Sequence, residues 1–445
     1  MITVISGMSR GRKFTRQMTV QADDSLRNAE MRLVSVYPQV RYQEIHGFGG
    51  AFTDAAGYVY SLMDENSRAD LIRTYFDPSE MGYTWGRTSI DSCNFSLNMY
   101  AADDDPEDTK LEHMDYTRGD KYMLPLLQDA GKAAGQPIRM MLTPWSPPAW
   151  MKTNGNRVHG GSLREECAPL WAEYICRYIS HCVETGMDVR LLSAQNEPQA
   201  VQTWDSCIFS AGEENHFIRF HLLPALQRCG LDKRITLLAW DHNKEKVQER
   251  ALEVMNDDLM KAAVGGVAFH WYSGDHFENV EMTALRFPGK RMVFSEGCVE
   301  HSIWGTDAEL KGAVKYAHEY IGDLNAGADT FIDWNLLLDE KGGPNHVGNF
   351  CDAPMMYDTV EHKLHKKLSL DYIGHFSRYI RPGAVRVGVS RFASCIEVTA
   401  AENPDGTVVA VLLNTDAKEQ KFVLQMNGDF YPMALPASAV MTCVF

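Results

Sequence analysis

Leu191-Leu192-Ser193-Ala194-Gln195-Asn196-Glu197-Pro198 is an apolar run that stops on a glutamate followed by proline. Further along, Met292-Val293-Phe294-Ser295-Glu296-Gly297 repeats the arrangement with a glycine after the acid. A carboxylate just past the end of a buried strand costs several kcal/mol unless something offsets it. Two such groups point to chemistry rather than to packing.

Both runs belong to a longer alternation. Short β-rich runs and helical patterns take turns over residues 45–335, as a parallel sheet with helical crossovers requires. The β-rich runs are Ile45–Phe52, Trp85–Ile90, Ile138–Thr143, Val189–Gln195, Ile235–Trp240, Gly266–His270, Arg291–Ser295 and Thr330–Trp334. Helices are predicted over Asp64–Phe76, Lys121–Ala134, Leu163–Thr185, Glu213–Cys229, Glu245–Asn256, Glu281–Phe287 and Asp307–Asp323. Eight such repeats give an α/β fold, a (β/α)8 TIM barrel, whose catalytic groups belong at the C-terminal strand ends. Trp145 follows the third run, Asn196 and Glu197 the fourth, and His270 and Tyr272 the sixth. Glu296 follows the seventh, and Trp334 and Asn335 the eighth, so five strand ends converge on one mouth.

Beyond about residue 380 the pattern becomes short alternating segments separated by turns such as Asn403-Pro404-Asp405-Gly406 and Asn427-Gly428-Asp429. Lys13–Val20 and Met31–Val36 have the same character. An attached β-sandwich domain built from both chain ends is therefore expected, with residues 1–40 and 379–445 flanking a barrel at 41–378. Four hundred and forty-five residues exceed what one core usually supports, which agrees with two domains.

A formal charge of −16 argues against nucleic acid and anionic membrane as partners. A neutral carbohydrate suits it better. No run approaches the roughly 20 apolar residues of a membrane span, and none after Met1–Lys13 reads as a signal peptide. The ten cysteines include no Cys-x-x-Cys pair and are expected to be reduced, so the expected compartment is cytoplasmic. Composition leaves open whether the chain works alone or as a homo-oligomer.

Paired carboxyl groups facing one another across a bond suit glycoside hydrolysis, in which one protonates the leaving oxygen and the other attacks or activates water. Tryptophans near the strand ends supply flat apolar walls for sugar faces. Of these, Trp145 and Trp334 are expected to touch substrate, whereas Trp150, Trp240 and Trp271 are expected to be core. His270 is read as ordering the site. Arg87 lies inside a strand where a cation needs an anionic partner, and Glu296 is the expected one, its pKa lowered by the contact. His46-Gly47-Phe48-Gly49-Gly50 lacks the third glycine of a dinucleotide site and reads as a close-packed strand and turn. The acidic run Asp103–Asp108 reads as a solvated loop, and His362 and His365 as exposed helix residues without metal-ligand companions.

With these residues in hand the chain resembles glycoside hydrolase family 30, and its glucosylceramidases in particular. The likeness runs through Gly47-Phe48-Gly49-Gly50-Ala51-Phe52-Thr53-Asp54, Thr143-Pro144-Trp145-Ser146-Pro147-Pro148, Asn196-Glu197-Pro198 and His270-Trp271-Tyr272. It continues through Ser295-Glu296-Gly297-Cys298, Asp333-Trp334-Asn335, Gly342-Gly343-Pro344-Asn345 and Gly374-His375-Phe376-Ser377. The resemblance implies a retaining mechanism, with Glu197 as general acid/base and Glu296 as nucleophile. It also implies that Arg87, Trp145, Asn196, His270, Tyr272, Trp334 and Asn349 line the site, with no cofactor and no metal.

One position departs. Where the glucosylceramidase pattern reads Ser-Cys-Asp-Phe-Ser, this chain has Ser92-Cys93-Asn94-Phe95-Ser96. An amide in place of a carboxylate weakens a bond to a sugar hydroxyl by roughly 1–2 kcal/mol, unless Asp91 compensates. The expected activity is that of a retaining β-glycosidase acting on β-glucosides. The alternatives are a β-xylosidase, a β-fucosidase or a β-1,6-glucanase of the same family. A non-catalytic carbohydrate-binding protein would have no need of both glutamates.

Overall fold

The computed structural model describes residues 1–445. The barrel strands are Gly47–Ala51, Trp85–Ile90, Arg139–Pro144, Asp188–Ser193, Thr236–Asn243, Val264–His270, Arg291–Glu296 and Thr330–Asp333. They are numbered one to eight below. All neighbours pair in parallel, and strand eight closes on strand one from Thr330 opposite Gly47 to Asp333 opposite Gly50. Gly49 has no freedom to be anything else: a Cβ there would sit 1.8 Å from the carbonyl oxygen of Trp85 on the next strand. Trp85, Met141, Leu191, Leu238, Ala268, Val293 and Ile332 fill the barrel interior. A larger apolar layer joins strands to helices.

Some elements differ from expectation for identifiable reasons. An additional helix, Asp54–Leu62, follows strand one, capped by the Thr53 hydroxyl. It is buried on several sides, so its sequence carries little helical amphipathicity. The helix read as starting at Leu163 starts at Ala168, after extended Arg164 and a short 3-10 turn. The stretch read as Glu213–Cys229 is broken by a π turn at Ile218–Leu222 just ahead of Pro224, which has no N–H to donate. His362 and His365 are not helical. They sit at the turn and on the second strand of a hairpin, Met355–Asp358 with Lys363–Lys366, and the His365 ring stacks on Trp304. Nor is the acidic run simply solvated, since Asp103 and Asp108 are buried and accept backbone N–H groups of their own loop.

Both chain ends build the second domain, one nine-stranded sheet folded over its own core. Ile2–Ser9 lies between Arg12–Thr19 and Val440–Val444, while Leu33–Ile45 pairs with Ala384–Arg391 and runs on toward strand one. Asn427 and Gly428, both at positive φ, make the tight hairpin between Gln420–Met426 and Asp429–Leu435. Barrel helices Leu368–Ser377 and Asp307–Ala326 seat this domain, through His375 with Thr442 and Asn325 with the Val398 carbonyl. No helix is long and apolar enough to cross a membrane.

Candidate active site

The C-terminal strand ends are where the backbone is least regular. Asp91, Glu197, Trp240, Asp241 and Asn335 all adopt positive φ just after or within the ends of strands two, four, five and eight. Non-glycine residues rarely do so, and such strain gathers at functional sites. In strand five the register shifts between Trp240 and His242, and in strand seven between Phe294 and Glu296. Each irregularity re-aims a side chain. One turns Asp241 into the barrel and the other presents Glu296 to its mouth.

Asp241 is the hub. Its Oδ2 accepts from Arg87 at 2.9 Å and Thr143 at 3.0 Å. Its Oδ1 accepts from Ser295 at 2.6 Å and lies 3.1 Å from Nε2 of His270. Burial would raise this carboxyl, but the Arg87 charge and the bonds from His270 and Ser295 hold it far below the ordinary range. Arg87 and His270, expected to line the site, are fully buried beneath the cleft and touch its two glutamates. Arg87 donates to Oε2 of Glu296 at 2.5 Å and to Oδ1 of Asn196 at 2.8 Å. The second bond fixes which way the Asn196 amide faces. The guanidinium also lies over the Trp145 ring, 4.7 Å from its centre.

Tyr272 donates to the other oxygen of Glu296 at 3.0 Å. Both oxygens of that carboxyl thus accept, an arrangement suited to the charged form. Burial nonetheless outweighs His270 and Arg87 and leaves Glu296 above its ordinary value, so Arg87 moderates a raised pKa rather than producing a lowered one. Glu197 faces Nδ1 of His270 at 3.3 Å. Burial raises it too, but the His270 bond and the charges of His242, His270 and Arg87 bring it below. His270 itself, opposed by burial but held by Glu296, Asp241 and Glu197, stays charged up to about 9.

Oxygens of Glu197 and Glu296 and a nitrogen of His270 all lie within 4.8 Å of one another. A cation could be held by such a trio, but here Arg87 already supplies the positive charge and both His270 nitrogens face carboxylates. Asp358, Glu361 and His365 form a second acidic cluster, at the outer hairpin.

Over these groups opens a cleft of about 730 Å³. Asn94, Trp145, Asn196, Glu197, Tyr272, Glu296, Trp334 and Asn349 all line it. Trp145 and Trp334 stack at 5.4 Å on one wall. Trp240 and Trp271 are buried, as expected of core residues. Asp91 does not compensate for Asn94: both its oxygens accept from Tyr174, and it faces Arg157 behind the wall. Sequence reasoning missed Asp241, although it stands directly after the fifth apolar run. It also missed the cleft residues Gln202, His242, Asn243, Lys311 and Lys315, most of which sit on a loop or a helix with no periodic signal.

Residues 45–380 match the glycosyl hydrolase family 30 TIM-barrel domain. The chain belongs to glycosyl hydrolase family 30. The family's β-sandwich domain matches residues 383–443. As a family 30 protein it is a glycosidase, and two paired carboxyls at the barrel mouth are what that chemistry asks for. It is 31% identical to the lysosomal acid glucosylceramidase of Mus musculus over 92% of this chain and 82% of that protein. It is 28% identical to an endo-1,6-beta-D-glucanase of Neurospora crassa over 92% of this chain and 86% of the other. Among solved structures, SrfJ from Salmonella typhimurium superposes with a TM-score of 0.95 at 37% identity, covering 100% of this chain and 99% of that one.

Proposed function

We propose that this protein is a retaining β-glycosidase that hydrolyses β-glucosides by double displacement. The observation that carries this is that one oxygen of Glu197 and one of Glu296 lie within 4.8 Å of each other. Retaining enzymes keep their carboxyls about 5–5.5 Å apart, whereas inverting ones leave about 6.5–9.5 Å for a water. Glu296, oriented by Arg87 and Tyr272, attacks the anomeric carbon as the glycosidic bond breaks. Glu197 gives its proton to the leaving oxygen.

That proton is held between Glu197 and His270. With His270 charged and its Nε2 anchored on Asp241, a shift across the 3.3 Å contact arms Glu197 as an acid. Once the glycosyl ester forms, Glu197 deprotonates the water that attacks the same carbon, and Glu296 leaves as the carboxylate. Trp145 and Trp334 form the apolar wall of the sugar end, and Asn94, Asn196 and Asn349 line it with amides for the sugar hydroxyls.

Asn94 favours a second reading of the sugar. With no carboxylate at this position and Asp91 turned away, a xyloside, a fucoside or a β-1,6-linked glucan fits the same machinery. A reducing, cytoplasmic setting is also proposed, supported by ten cysteines that all remain free. The deciding assay is hydrolysis of aryl β-glucoside, β-xyloside, β-fucoside and β-galactoside, with Glu296→Gln as blank. A dominant glucoside rate that vanishes in the blank supports the first reading. Preference for another sugar moves the assignment to the second, and turnover that survives in the blank overturns both.

A further inference from the structure

The wall of the cleft formed by helix Asp307–Ala326 carries two lysines, Lys311 and Lys315, one turn apart and both lining the cavity that holds Glu197 and Glu296. Lys315 is half-buried, and burial holds its ammonium below the ordinary value. A half-buried cation normally has a carboxylate or carbonyl partner. Lys315 has neither: no oxygen lies within bonding distance, and its Nζ rests over the face of Trp271, 4.5 Å from the ring centre. The carboxylates that act on it at longer range are already committed. Glu319 accepts from the buried Lys244 at 2.6 Å, and Asp275 lies 3.3 Å from His318. Lys311 forms no ion pair either, and the remaining acid on this side, Glu300, is exposed and unpaired. Cys298 and Cys351 line the same cavity.

We infer that Lys311 and Lys315 form an anion-binding subsite for the leaving group, so that the preferred substrate is a β-glycoside whose aglycone bears a carboxylate or phosphate. This rests on the glycosidase reading above. The sugar occupies the end of the cleft walled by Trp145, Trp334 and Asn94, which leaves the helix wall to the aglycone. An anion there satisfies the Lys315 ammonium without displacing any existing bond, and the indole beneath keeps the charge close to the surface. The overall charge of −16 would otherwise repel an anionic substrate, so local cations at the mouth are what admit one.

The test uses matched substrates: 3-carboxyphenyl, 3-phosphophenyl and the neutral isostere 3-carbamoylphenyl β-glycosides of whichever sugar the enzyme accepts. The wild type is expected to favour at least one anion over the amide by about tenfold in kcat/KM, mainly through KM, which corresponds to about 1.4 kcal/mol. In the double variant Lys311→Gln/Lys315→Gln the ratio falls toward unity, while Lys315→Arg retains it. Raising ionic strength reduces the preference. Which anion gains more tells carboxylate from phosphate as the source. Equal rates on the anions and the amide, or a preference that survives in the double variant, overturn the inference and leave the glycosidase reading intact. Failure on all three substrates would instead count against that reading.

Discussion

Arg87 carries the largest single consequence at the scale of one residue. It is the only fixed cation touching Glu296, Asp241 and Asn196 at once. Arg87→Met removes the donor to Oε2 of Glu296 and leaves His270 as the remaining charge beside Glu296 and Asp241. Removing one member of a buried pair costs about 3–5 kcal/mol of stability, and with the Glu296 carboxyl no longer held in place kcat/KM is expected to fall on the order of a hundredfold. Steady-state kinetics on the best aryl glycoside, with circular dichroism to confirm folding, checks this. Retention of most activity would remove Arg87 from the account. Asn94→Asp restores a charged acceptor at the sugar end and is expected to raise the glucoside-to-xyloside ratio in kcat/KM by about tenfold.

The same scale shows what the sequence could and could not tell. Glu197 and Glu296 were legible because an apolar strand that ends on an acid has no packing explanation. Asp241 ends such a run too, yet only the bulge in strand five turns it inward, and a bulge leaves no mark in hydrophobic periodicity. Its partners lie far apart in the chain, so nothing local announces the network. Asn94 was legible only as a departure from a pattern, and only the structure shows that Asp91 points elsewhere.

Elements set the electrostatics. His270, on the end of strand six, stays charged up to about 9 because, against burial, Glu296, Asp241 and Glu197 hold its proton. Its loss of that proton removes the supply for Glu197, so the alkaline limb of the kcat/KM profile is expected near 9. A profile flat through that range would contradict the shared proton. His318, on helix Asp307–Ala326, joins Asp275 of the barrel to Glu397 of the second domain. The Glu397 bond, opposed by burial, raises it to about 9 from 6.5. A raised value means stability fully present below about 6.5 and lost as pH climbs through about 9. His270 titrates in the same window, so the difference between wild type and His318→Gln isolates the contact. Thermal melts at both ends should show a smaller alkaline drop in the variant. Helices were read less well than strands. Asp54–Leu62 is buried on several sides and lacks amphipathic contrast, while the His362–His365 hairpin is too short for alternation to register.

At the scale of the whole molecule the two domains share their structure. The N-terminal strand Ile2–Ser9 pairs with the C-terminal Val440–Val444, and Leu33–Ile45 leads from that sheet toward strand one of the barrel. Helix Leu368–Ser377 is buried along nearly its whole length between the two. Calorimetry is therefore expected to give one cooperative transition, whereas two separated transitions would show independent units. The sequence foretold a second domain of both chain ends from turn chemistry and alternation. It located the mouth from five strand ends but not the outer wall of the cleft, to which Gln202 comes from a loop and Lys311 and Lys315 from a helix.

The central claim is that Glu296 and Glu197 work by double displacement, and the stereochemistry of the first product tests it most directly. Proton NMR of an aryl β-glycoside digest, recorded before mutarotation, should show the β-anomer appearing first. Initial release of the α-anomer would mean inversion and would contradict the account.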